Sequence, residues 1–333
     1  MSSDFPAPPR ALTAEGKKRR VGVEIEYSDL GVPESAALVR RLFGGEVIEK
    51  DLHLMEVKDT RHGDFLVELD LRLLHRNKAK GAKQAEGDDE LAHFLDELDR
   101  ELTKAAGDIA GLLVPCEIAC PPIAYDELEE IEDLIAGLRD AGATGTDSSL
   151  LAAFGLQLNV ELASLETGDI LRQMRAYFLL SDWLREEIGV NLKRRLATFI
   201  DPFPRAYLDK VIDPSYQPGQ AQLIEDYLAA NPTRYKELDL LPLFAHLDEK
   251  RVRARLPDAK INPRPAFHYR LPDSRIDDPR WRLAQEWRRW LKVEQVAADE
   301  ALLARLQEAY LEHRRQLLPM GWVERLRHIL RSA

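Results

Sequence analysis

One short run, Val21-Gly22-Val23-Glu24-Ile25-Glu26-Tyr27, constrains the fold more than any other stretch of the chain. Side chains alternate across a β-strand, so Val21, Val23, Ile25 and Tyr27 line one face and Glu24 and Glu26 share the other. Two carboxylates at adjacent same-face positions repel unless water, a proton or a cation intervenes. An isolated Glu-x-Glu reads as the wet side of a surface strand. Two further strand-like runs point past that reading, because each also sets a glutamate among apolar neighbours. Phe65-Leu66-Val67-Glu68-Leu69-Asp70 puts Leu66, Glu68 and Asp70 on one face, and Glu117 sits inside Val114-Pro115-Cys116-Glu117-Ile118-Ala119-Cys120. Several glutamates on one sheet face are usually relieved by a hard divalent cation such as Mg²⁺, which prefers carboxylate oxygens and water and bridges to phosphates.

The rest of the chain sorts around these strands. Residues 1–19, with Pro6, Pro8 and Pro9, read as a flexible arm. Pro33-Glu34-Ser35 opens a short helix that stops at Gly44-Gly45. Short β segments follow at 46–49 and 53–58. Residues 75–90 read as a mobile loop, and 90–107 has helical spacing. The strand over 112–119 is closed by Pro121-Pro122, a helix covers 126–141, and Phe154–Leu162 is a further strand. From Asp169 the pattern turns to amphipathic helices, including 170–188 and 220–230. Residues 261–271 return to extended structure, 279–316 are largely helical, and a short amphipathic helix over 322–330 ends the chain. The organisation expected is one catalytic-type domain over 20–316 with a helical insertion at about 169–250 and a helical tail at 317–333. The fold class is α+β, an antiparallel sheet with helices on one side.

Length and charge exclude some functions. With 333 residues the chain can bury a large core. A net charge of −11 disfavours nucleic acid and membrane surfaces as partners, since both are polyanionic. Met1–Pro9 has no apolar signal-peptide core, and no apolar run approaches the ~20 residues a bilayer span needs. Cys116 and Cys120 are too few for a disulfide scaffold or a structural zinc site, and read as buried reduced thiols in a cytoplasmic protein.

Two later segments add polar chemistry. Phe154-Gly155-Leu156-Gln157-Leu158-Asn159-Val160-Glu161 puts Gly155, Gln157, Asn159 and Glu161 on a shared face, where amides can donate to or accept from a ligand or simply satisfy an edge strand. The segment Ile261-Asn262-Pro263-Arg264-Pro265-Ala266-Phe267-His268-Tyr269-Arg270-Leu271-Pro272 alternates Arg264, His268 and Arg270 with aromatic residues, and Arg275 follows. Guanidinium forks bind oxyanions bidentately, so this strand reads as an anion site.

Taken together, Gly22-Val23-Glu24-Ile25-Glu26, the Glu68 and Glu117 strands, Gly155-x-Gln157-x-Asn159 and Arg264-Pro265-x-Phe267-His268-Tyr269-Arg270-Leu271-Pro272 resemble the amidoligase family, a branch of the glutamine synthetase and glutamate–cysteine ligase superfamily. The resemblance runs from about Arg20 to Glu300. It implies a cup of antiparallel strands of the glutamine synthetase type that binds ATP with two or three Mg²⁺ (or Mn²⁺) ions. It also implies phosphorylation of a carboxylate and displacement of phosphate by an amine. Position by position, Glu24 and Glu26 match a metal-holding pair, Glu68 and Glu117 the carboxylates that complete the metal shell, and His268 a further metal position. Arg264 and Arg270 match phosphate-stabilising catalytic arginines. Gln157 and Asn159 match the strand beside ATP, and Arg275 is a weaker anion-site residue. Two departures stand out: Gln157 replaces a histidine common in relatives, and His268 replaces a metal-binding glutamate, which weakens one metal position.

The expected activity is an ATP- and Mg²⁺-dependent carboxylate–amine ligase acting on small molecules or peptides. The alternatives are a non-catalytic nucleotide- or small-molecule-binding protein on the same scaffold, and a metal-dependent hydrolase using the same carboxylates. The general base is open, with Asp64 and Asp70 as candidates. The acid, the amine and the oligomeric state, a homo-oligomer included, are open as well.

Overall fold

The computed structural model describes residues 4–51, 53–70, 115–146, 154–190, 201–257, 261–316 and 321–332. The sequence expectations for 75–107 and for the start of the strand before Pro115 lie outside these residues.

The strands are β1 (Arg20–Tyr27), β2 (Glu46–Asp51), β3 (Leu54–Thr60), β4 (Gly63–Leu69), β5 (Cys116–Ala119), β6 (Ile123–Ala124), β7 (Leu156–Glu161), β8 (Leu238–Asp239) and β9 (Ala266–Tyr269). They form one sheet in the order β2-β3-β4-β5-β1-β7-β9-β8, with β6 also paired to β1. Every pairing between named strands is antiparallel. The helices are α1 (Val32–Phe43), α2 (Glu129–Asp140), α3 (Thr167–Ile188), α4 (Arg205–Ile212), α5 (Gln220–Ala230), α6 (Leu241–Arg255), α7 (Leu283–Ala298), α8 (Glu300–Arg314) and α9 (Trp322–Arg331). The chain is therefore α+β, as its patterning predicts.

Strand alternation decides which face meets the helices. Val21, Val23, Ile25 and Tyr27 of β1 are fully buried, and so are Val57, Val67, Ile118, Leu156, Leu158 and Tyr269 on the other strands. Removing each such side chain from water contributes about 1.5–3 kcal/mol, enough in sum to fix which face turns inward. Phe43 of α1 stacks on Phe65 of β4 with ring centroids 5.0 Å apart, Tyr177 of α3 meets Tyr269 at 6.0 Å, and Trp290 of α7 meets it at 5.3 Å. The opposite face keeps the glutamates. Among the described residues no helix is long and apolar enough to cross a membrane.

Two expectations differ from what the chain forms. The first residues, read as a flexible arm because of their prolines, are packed down. Phe5 is buried, Trp287 Nε1 donates to the Pro6 carbonyl at 2.9 Å, and Arg282 and Arg288 pair with Asp4. The stretch 169–250, read as a helical insertion, also supplies β8 to the sheet. A two-residue strand carries no periodicity to detect, and its pairing is set by β9. The terminal helix is docked as well, with Trp322 Nε1 donating to the Leu179 carbonyl at 3.1 Å.

Candidate active site

The polar face of the sheet is divided by charge. On one half, β4, β5 and β1 set three glutamates in a row: Glu68 lies directly across from Glu117, and Glu117 directly across from Glu26. Directly opposed residues share a face, with Cβ atoms about 5 Å apart. Asp70 follows β4 and is held there by its N–H, which donates to the Pro115 carbonyl at 2.9 Å. The result is that Glu26, Asp70 and Glu117 each offer a carboxylate oxygen within 4.8 Å of the other two. Asp70 and Glu117 are buried, at 8% and 4% exposure. Two of these acids are buried and the third is half-buried, and hard carboxylate oxygens grouped this closely are what Mg²⁺ or Mn²⁺ takes. The donor set fits such a cation.

Of the four glutamates named from sequence, the structure puts Glu26 and Glu117 in this trio and Glu68 next to Glu117 in the register. Glu24 stands one row along, where its Oε1 accepts from Asn159 Nδ2 at 2.7 Å. Asp70, read from sequence only as a candidate base and a face-mate of Glu68, is the third member of the trio. Asp64, the other candidate base, is exposed near Lys58. The Gly155 N–H donates to Glu26 Oε2 at 2.7 Å and fixes that carboxylate against β7.

The other half of the face is built from β7, β9 and β8. Gln157 faces Glu24 across the β1–β7 pair, and Asn159 faces Gly22 on one side and His268 on the other. His268 in turn faces Asp239. Arg270 follows β9, its Nη2 3.4 Å from Asp239 Oδ2, and its N–H donates to the Glu237 carbonyl. Glu237 is gripped bidentately by Arg185 of α3 at 2.7 and 2.8 Å. Arg264 is exposed at the start of this segment. Arg275 pairs with Asp273 at 3.5 Å and donates to the Gly189 carbonyl at 2.7 Å, which ties it to the end of α3.

This half holds a group of buried atoms with no hydrogen-bond partner: Gln157 Oε1, Asn159 Oδ1 and both ring nitrogens of His268. All three side chains are 5% exposed. A buried polar group left unpaired costs about 1–3 kcal/mol, so such a cluster is a candidate ligand surface. Burial, and then the charges of Arg270, Arg264 and Arg234, drive the His268 imidazole well below its usual pKa, so it is neutral at pH 7. Burial holds the Asp239 carboxyl above its ordinary value against the opposing pull of Arg270.

Residues 17–292 match the family described as "Putative amidoligase enzyme". The chain belongs to this amidoligase family. A search of curated proteins and a search of solved structures return no match. The matched span of the amidoligase chain covers both halves of the polar face, from Glu24 to Arg275, and the family's description is that of an amide-bond-forming ligase.

Sequence reasoning missed Asp239, Glu237, Arg234 and Arg185. The first three lie in a stretch dominated by helical spacing, and only the pairing of β8 with β9 brings Asp239 to His268. An aspartate inside the apolar Leu238-Asp239-Leu240-Leu241 run was the one local signal on offer.

Proposed function

We propose that this amidoligase is an ATP- and Mg²⁺-dependent carboxylate–amine ligase that works through an acyl phosphate on a sheet of the glutamine synthetase type. The observation that carries the reading is the row Glu68–Glu117–Glu26 with Asp70, set on the same sheet face as Arg270 and the unpartnered Gln157 Oε1, Asn159 Oδ1 and His268 ring nitrogens. A face with a cation-holding half and an anion-holding half suits a substrate that is itself a metal-bound polyphosphate.

Glu26, Asp70 and Glu117 would hold the Mg²⁺ or Mn²⁺, with Glu68 and Glu24 alongside. A cation held there would supply positive charge to offset that of the γ-phosphoryl group. Arg270, with Arg264 at the rim, stabilises the same charge from the other side. Asp239 orients Arg270, and Gln157, Asn159 and Arg275 would contact nucleotide and substrate. A carboxylate oxygen of the acid attacks the γ-phosphorus and ADP leaves. The amine nitrogen then attacks the acyl carbon, the C–N bond forms, the C–O bond to phosphate breaks, and the amine gives up a proton. Two buried thiols and the use of ATP fit a cytoplasmic enzyme. Burial pushes Cys116 up to about 11 and raises Cys120 further, so neither is a nucleophile at pH 7.

The test is calorimetric titration with ATP in Mg²⁺ and in EDTA, on the native protein and on Glu117→Gln. Binding is expected to require Mg²⁺ and to weaken at least tenfold in the variant, a loss of about 1.4 kcal/mol or more. Equal ATP affinity in both proteins would sink the reading. ATP binding with no ADP release for any acid and amine pair would leave a binding protein in its place.

A further inference from the structure

We propose that His268, together with Arg270 and Arg264, takes an oxyanion directly, so that the β9 end of the site is an anion subsite and not a metal position. The inference rests on the ligand-binding reading of the polar face but not on ATP as the ligand. It reverses the role that the family resemblance implies for His268.

Three observations carry it. First, the carboxylate directly across from His268 in the sheet is already engaged. Asp239 is fully buried, with Oδ1 accepting the Leu241 N–H at 2.9 Å and Oδ2 facing Arg270. Second, Arg270 lies two positions along from His268 and so shares its face, with Nη2 3.4 Å from the Asp239 carboxylate across from the ring, and Arg264 and Arg234 add positive charge to that of Arg270. A dication there would meet three guanidinium groups, whereas an anion would be drawn to them. Among the described residues, the one group of three ligand-type side chains within reach of each other is Glu26, Asp70 and Glu117, and it leaves His268 out. Third, both ring nitrogens are buried and unpartnered. A neutral imidazole has one N–H, and that N–H can donate to an anionic oxygen.

The neighbouring atoms narrow the ligand class. Asn159 Nδ2 donates to Glu24, which fixes its Oδ1 as an acceptor. Asn159 Oδ1 therefore awaits a donor, and Gln157 Oε1 lies unpartnered on the same face. The ligand is an oxyanion carried on a molecule that also presents N–H or O–H donors. A nucleotide phosphate with its ribose hydroxyls meets that description, and so does an amino-acid carboxylate with its amino group.

The experiment measures cation and oxyanion binding separately on the full chain. Mn²⁺ is titrated by electron paramagnetic resonance into native protein, His268→Ala and Glu117→Gln. Pyrophosphate and glutamate are titrated calorimetrically in EDTA into the same three proteins and Arg264→Ala. The His268→Ala protein is expected to bind Mn²⁺ with native stoichiometry and affinity, which also reports an intact fold. It is expected to lose about tenfold or more in affinity for at least one oxyanion, and Glu117→Gln to keep that affinity within about twofold. The oxyanion affected tells phosphate from carboxylate. Arg264→Ala, at an exposed position, is expected to weaken the same oxyanion, and His268→Gln takes the place of His268→Ala, with the same expected outcomes, if that protein does not fold. A Mn²⁺ ion lost from His268→Ala, unchanged oxyanion affinity, or no oxyanion binding to native protein would each overturn the inference. Pyrophosphate or glutamate bound through His268 without any Mg²⁺-dependent ATP binding would overturn the ligase reading and leave this one standing.

Discussion

Asn159 joins the two halves of the site with the two ends of one amide. Its Nδ2 is committed to Glu24 on the cation side, and its Oδ1 has no partner although Asn159 stands directly across from His268. An aspartate there would add a carboxylate to Glu24 instead of a donor. His268 contributes at this scale through its protonation state. Burial first, and three arginines second, favour the neutral ring in the folded chain. The unfolded chain, with an imidazole near pH 6.5, takes up a proton below that pH and the native state does not. The stability His268 contributes is thus complete above about pH 6.5 and declines as pH falls below it, by up to about 1.4 kcal/mol per pH unit. His268→Gln is expected to flatten that decline. The check is the urea midpoint at pH 7.5 and pH 5.5 for both proteins. An equal drop in the two would show that the ring is not buried neutral.

At the scale of the element, the Gly22-Val23-Glu24-Ile25-Glu26 run explains its own glycine. Gly22 faces Asn159 across β1 and β7, and a methyl group at Gly22 would stand 3.3 Å from Asn159 Cβ and 3.5 Å from Nδ2. The side chain that must give way is the one that holds Glu24. Gly22→Ala is therefore expected to weaken Mg²⁺-dependent ligand binding several-fold. Stability is expected to change by less than about 1 kcal/mol, because the gain from replacing a strand glycine offsets the crowding. Calorimetry and a melting curve on one sample separate the two effects, and native affinity in the variant would show that Asn159 has room to move. The same strand shows what was legible in the sequence. Alternation revealed β1, β4 and β7 and the face each glutamate takes, because period two is a local property. Register is not local. That Glu68, Glu117 and Glu26 fall in one row depends on pairings between distant segments, and so does the arrival of Asp239 beside His268. β6 was missed because Pro121-Pro122 reads as an end, yet the chain resumes pairing with β1 immediately after it.

For the whole molecule, the first strand is anchored from behind. Arg19, just before β1, donates Nη1 and Nη2 to Glu294 Oε2 and Oε1 of α7 at 2.7 and 2.6 Å, and both side chains are 3% exposed. Arg19 also donates to the Arg10 and Glu161 carbonyls, and Trp290 Nε1 donates to Glu294 Oε1 at 2.8 Å. This network ties the packed N-terminal segment, β7 and α7 to the strand that carries Glu24 and Glu26. A buried ion pair adds little over a well-packed apolar pair, but breaking one leaves an uncompensated charge and costs about 3–5 kcal/mol. Glu294→Leu alone is expected to cost that much, since it strands the Arg19 guanidinium. Arg19→Met alone is expected to do the same, and the double variant to recover most of the loss. Urea unfolding of the four proteins completes the cycle. Additive losses would mean that the pair acts through its separate bonds to Trp290 and the backbone carbonyls. Recovery in the double variant should also restore Mg²⁺-dependent binding, because what the polar face needs from this network is the position of β1 and not the charge behind it.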